Sequence, residues 1–120
     1  MKIMKKILFI LLTFFVLTGC EYEIIHPKPI DIPTDTPLSF ADDILPIFDG
    51  CVSCHTSISP QFGSPDIYNI LIADYINVEV PEESSLYLKL TTAGDSHEGK
   101  TTAEQNAYIL EWIKQGAENN

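Results

Sequence analysis

Apolar residues along this chain fall into one dense run and several short periodic stretches. The run, Ile7 to Leu17, follows a basic start of Lys2, Lys5 and Lys6. Eleven residues rising about 1.5 Å each reach only about 16 Å, roughly half a bilayer core. That length suits the apolar centre of a secretory leader better than a transmembrane helix. Residues 21–38 carry Pro27, Pro29, Pro33 and Pro37 without helical periodicity. They predict an extended tether, although Ile24, Ile25, Ile30 and Ile32 leave room for part of it to pack on the domain beyond. From Ser39 the spacing becomes helical: Phe40, Ile44, Leu45 and Phe48 share a face, with Ser39 as cap. Pro46 within that stretch predicts a kink or a late start, and Gly50 an end.

Residues 56–66 read as a loop rich in Ser, Pro and Gly. A second helix is expected over Asp66–Tyr75, capped by Ser64 and led by Pro65, with Ile67, Ile70, Leu71 and Ile72 partly buried. Ser84 or Ser85 can cap a short helix through Tyr87, Leu88 and Leu90, before a polar loop from Thr91 to Lys100. Thr101-x-x-Glu104 reads as a capping box, and Gly116 as a stop. Between them Tyr108, Ile109, Trp112 and Ile113 form an apolar stripe. Strand-like alternation is weak, the best stretch being Tyr75–Val80. The fold class expected is all-α.

The leader ends in Leu17-Thr18-Gly19-Cys20, which resembles the bacterial lipobox. That resemblance implies cleavage before Cys20 and lipidation of its thiol. Two or three acyl chains would hold the protein to a bilayer. Residues 1–19 are then leader, 20–38 lipidated tether and 39–120 the folded domain. Glu21 does not resemble the aspartate that retains lipoproteins in the inner membrane. The expected location is therefore the outer membrane, on its periplasmic or cell-surface side.

Charge changes character at the same point. All 17 acidic residues lie after Cys20, against Lys28, Lys89, Lys100 and Lys114, and the chain has no arginine. Such a surface repels phosphates, so nucleic acid is not an expected partner. A protein docking by charge would present a basic patch.

Of the three cysteines, Cys51 and Cys54 stand in Cys51-Val52-Ser53-Cys54-His55. Two cysteines three apart project from one side of a helical turn, which suits two thioether bonds to the vinyl groups of one haem. The histidine after them lies where an imidazole nitrogen reaches iron, and the spacing is a haem c attachment signature. Export agrees, because such haem is attached outside the cytoplasm. Three rival readings remain: a Cys51–Cys54 disulfide, a thioredoxin-like redox pair, and zinc held by Cys51, Cys54 and two of His55, His97 and His26.

Residues 39–119 resemble a compact class I cytochrome c domain of the short monohaem type found in exported bacterial lipoproteins. The resemblance rests on the run Phe40 to Phe48 before Cys51-x-x-Cys54-His55, and on Tyr108 to Ala117 as closing helix. It implies a helical fold whose first and last helices cross beside one covalent haem, and an electron-transfer role. The family's sixth iron ligand is commonly a methionine in the loop before the last helix. Here the methionines, Met1 and Met4, fall in the leader, and His97 occupies that loop. Ligation by His55 and His97 is the expectation; His26 or an open position are the alternatives, the last giving a gas or peroxide sensor or a peroxidase-like enzyme. No acid–base set suited to catalysis stands out, which favours a carrier. His55 should donate its second ring N–H to a carbonyl near Pro60.

Overall fold

The computed structural model describes residues 30–120, together with Met1, Ile3 and Lys6. The apolar run, Cys20 and His26 lie outside the described residues. A π-helical turn, Phe40–Ile44, passes directly into a 3₁₀ segment, Leu45–Cys51. Helix α1 spans Ile67–Asp74, a 3₁₀ turn spans Pro81–Glu83, α2 spans Ser85–Thr91 and α3 spans Ala103–Lys114. Among the described residues there is no strand, so the body is all-α. None of their helices is long and apolar enough to cross a membrane.

Ser39 caps the first segment as its sequence suggests. Its Oγ accepts the Asp42 amide at 3.3 Å, and its own amide donates to Asp43 Oδ2 at 2.7 Å. Pro46 neither kinks nor delays the segment. The helix instead changes pitch at Leu45, which makes Pro46 the second residue of the tighter 3₁₀ stretch, where its missing N–H is not needed. The stretch runs one residue past Gly50, to Cys51.

Helix α3 is the element on which the others gather, packing against the π-helical turn, the Pro81–Glu83 turn and α2. Its Ile109, Trp112 and Ile113 are fully buried, as are Ile44 and Leu71. Phe40 lies between Tyr68, edge-on at 5.2 Å, and Trp112 at 5.4 Å. Past α3 the chain turns back through Gly116 at φ 102° and Ala117 at φ 52°. Tyr68 then donates its hydroxyl to the Ala117 carbonyl, and Trp112 Nε1 donates to Glu118 O. Trp112 is buried and Tyr68 half-buried, each with its polar tip bonded.

The caps differ from the sequence reading in register and role. The capping box of α3 is Thr102 with Gln105, one residue later than Thr101 with Glu104. Both frames satisfy the pattern, and the later one lets Thr101 become buried with its hydroxyl donating to Asn106 Oδ1. Ser64 accepts the Asp66 amide, and α1 starts at Ile67 without a side-chain cap. Ser84 is buried and accepts the Asn77 amide at 2.9 Å instead of capping α2. Asn77 Oδ1 in turn accepts from the amides of Glu79 and Val80, so Tyr75–Val80 forms a turn and not a strand. Upstream, Leu38 is buried and its amide donates to Gln115 Oε1 at 2.8 Å, while Ile32 packs on the core. The end of the proline-rich stretch therefore lies on the domain.

Ile109→Ala should lower unfolding free energy by about 2–5 kcal/mol, read from the urea midpoint, because α3 cannot collapse around the loss. The Glu82–Lys114 pair, 2.9 Å apart and half exposed, should show a weaker and pH-bounded effect. Lys114 holds the Glu82 carboxyl below its ordinary 4.5, and Glu82 holds the ammonium above 10.5. The contribution is present between those values and disappears as pH falls through the depressed carboxylate pKa or rises through the elevated ammonium pKa. Glu82→Gln should lower Tm slightly at pH 7 and leave it unchanged in acid.

Candidate cofactor-binding cleft

The 3₁₀ segment ends on Cys51, whose carbonyl accepts the amides of both Cys54 (3.2 Å) and His55 (3.0 Å). This double acceptance closes the turn and sets His55 back beside the segment that precedes it. Phe48, one helical turn before Cys51, stacks on Phe62 from the next loop at 4.5 Å and 13°. The His55 ring meets the edge of Phe62 at 5.3 Å and 74°. Its Nδ1 is 3.3 Å from the carbonyl oxygen of Ile58, a long contact that leaves Nε2 for the other side. Ile58 lies two residues before Pro60, which is joined to Ser59 through a cis peptide bond.

Opposite this turn stands the loop after α2. Asp95 Oδ1 accepts from the His97 amide at 3.0 Å and lies 3.1 Å from His97 Nδ1, and Asp95 Oδ2 accepts from Lys89 Nζ at 3.0 Å. These bonds hold the Asp95 carboxyl far below the usual carboxylate range, with the His97 amide the largest cause. The ring centres of His55 and His97 are 6.0 Å apart, with their planes at 46°.

Between the two imidazoles lies a cleft with apolar walls, formed chiefly by Phe48, Pro60, Phe62, Leu86 and Leu90. Tyr75 and Ser59 stand at its rim, joined by a hydrogen bond from the tyrosine hydroxyl at 3.2 Å. Its volume, about 140 Å³, is smaller than the roughly 300–1,000 Å³ of ordinary ligand pockets. Cys51 lines the cleft; Cys54 is exposed and does not.

The donor set can be tested against the groups the sequence suggests. An imidazole nitrogen lies about 2.0–2.1 Å from a first-row metal and about 1.1 Å from its own ring centre, so two rings facing each other across one ion stand about 6.3 Å apart. The observed 6.0 Å matches that separation. Each ring also has its Nδ1 occupied by an oxygen, the arrangement that orients a metal-binding imidazole. Among the described residues no group of three or more His, Cys, Asp or Glu side chains is arranged to hold a metal ion. That arrangement offers little to a tetrahedral zinc site, whereas two imidazoles could hold a metal that a cofactor already carries. Cys51 and Cys54 are free thiols, not a disulfide.

Three of the four expected site residues of the domain thus meet at one cleft, with Cys54 on the exposed side of the same turn. Lys89 and Phe62 are additions that the sequence reading does not contain. Leu86, Lys89 and Leu90, at i, i+3 and i+4 on one helical face, are the signal that could have placed Lys89. Phe62 sits in a loop without periodicity and left none. No model of a protein family, no curated protein and no solved structure matches the chain, so the reading of the cleft rests on its motif and its geometry.

Burial pushes the Cys51 thiol above its ordinary 9.0; the adjacent Cys54 adds to this and Lys100 opposes it. With both thiols free, iodoacetamide should label exposed Cys54 before Cys51 at pH 7.5. Labelling of Cys51 should accelerate only above the ordinary thiol pKa, a profile readable by peptide mass.

Proposed function

We propose that this chain is an exported, lipid-anchored c-type cytochrome carrying one haem, and that it transfers electrons singly between protein partners. The observation that carries the reading is the Cys51-Val52-Ser53-Cys54-His55 turn forming one wall of an apolar cleft, with the His97 ring 6.0 Å from that of His55. A class I cytochrome c-like arrangement agrees with the first helical segment packing on the last helix beside this cleft.

In this reading Cys51 and Cys54 are the thiols that would carry the thioether bonds. His55 and His97 are the residues that would hold the haem iron. Bound haem supplies a reversible one-electron change at iron, and the protein sets its potential and access. Phe48, Phe62, Leu86 and Leu90 exclude water from the ring faces. Ile58 O and Asp95 Oδ1 fix the two imidazoles through Nδ1. Two imidazole donors favour the ferric state, which implies a lower potential than methionine–histidine ligation.

Cys20 is the proposed lipid attachment, in the outer membrane, with the proline-rich stretch spacing the domain from the bilayer. A redox partner would meet an acidic surface, and a basic docking patch is the complementary chemistry.

Expression of the full chain with a haem c maturation system should give red protein heavier by one haem, with low-spin, six-coordinate spectra in both oxidation states. His97→Ala should lose the near-infrared signature of two imidazoles while keeping the covalent haem. Cys51→Ala with Cys54→Ala should retain no covalent haem. Colourless exported protein without the added mass would overturn the reading.

A further inference from the structure

The loop that presents His97 is built almost entirely from bonds within itself. The Asp95 amide donates to Thr92 O, the Glu98 amide to Asp95 O and the Lys100 amide to His97 O, while the Gly94 amide donates to Glu98 Oε2 at 2.7 Å. Gly94 and Gly99, at φ 81° and 74°, bound the segment with backbone conformations that side chains resist. Such a loop keeps its own shape without being fixed to the domain. Among the described residues, the side-chain bond joining it to a neighbouring helix is Lys89 Nζ to Asp95 Oδ2, at 3.0 Å.

Resting on the haem reading above, we infer that Asp95, braced by Lys89, is the positioning residue that presents His97 to the iron. One carboxylate makes both attachments. Oδ2 fastens the loop to α2, and Oδ1 grips the His97 backbone and ring together. Occupying Nδ1 selects the tautomer whose Nε2 is the free donor, and a carboxylate there strengthens that donor. Ser96 Oγ also lies 3.1 Å from Nδ1 and donates to Asp95 Oδ1 at 3.4 Å. As a neutral partner it makes the weaker bond, so the charged oxygen prevails. The Asp95 side chain is 18 % exposed against 38 % for His97, so the brace is better shielded from water than the ring it holds.

The test uses haem-loaded full-length protein and the rate at which carbon monoxide replaces His97 on ferrous iron, together with the reduction potential. Asp95→Ala should accelerate carbon monoxide binding about 10–100-fold and raise the potential. Asp95→Asn keeps an acceptor at the same place, so it should bind carbon monoxide near the wild-type rate while the potential still rises. Lys89→Met should accelerate binding with His97 still ligating at rest, and Ser96→Ala should behave as wild type. Wild-type rates in Asp95→Ala, or acceleration confined to Ser96→Ala, would overturn the positioning role and leave the cytochrome reading intact. Protein without haem, or a two-imidazole spectrum surviving His97→Ala, would remove the ligand assignment and this role with it.

Discussion

The stacking of Phe48 on Phe62 is the contact from which the cleft is made. It ties the 3₁₀ segment, which ends on Cys51, to the loop that runs back past Pro60. His55 rests its ring on the edge of Phe62, so its direction is set by the same pair. Without that stack, the Cys51 turn would be a surface feature with an imidazole free to swing into water. With it, one side of the imidazole meets an apolar wall and the other a carbonyl oxygen. Helix α3 makes the stack possible by burying the rest of the first segment through Ile44 and Phe40.

Much of this could be read from residue spacing, and the remainder was hidden for identifiable causes. The stripe of α3 was legible because Ile109, Trp112 and Ile113 repeat on one face of a helix with clear ends. The Cys51–His55 motif was legible because its chemistry is written in adjacent positions. Capping register was not, since Thr101-x-x-Glu104 and Thr102-x-x-Gln105 overlap and only packing of Thr101 selects between them. The role of Ser84 was hidden likewise, because a serine before a helix reads as a cap whether or not Asn77 reaches it from seven residues upstream. At Pro46 the rule against proline in a helix was sound. It could not indicate that a change of helical pitch would satisfy it.

Electrostatics and packing divide the work between the two sides of the cleft. The His55 side is oriented by rings and a neutral carbonyl, the His97 side by a carboxylate and an ammonium. The lysines nearest the site, Lys89 in the cleft wall and Lys100 close enough to act on Cys51, are set within a strongly acidic chain. Lys89 is paired with Asp95, so the His97 side of the cleft holds opposite charges in contact and not a field of one sign.

The self-bonded character of residues 94–98 bears on how such a protein diversifies. A segment that shapes itself between two glycines and is fastened by one lysine behaves as a cassette. Exchanging it would swap the side chain facing His55 without disturbing the helices on either side. The Cys51–His55 turn, by contrast, is woven into the aromatic stack through Phe62 and could not be exchanged without disturbing it.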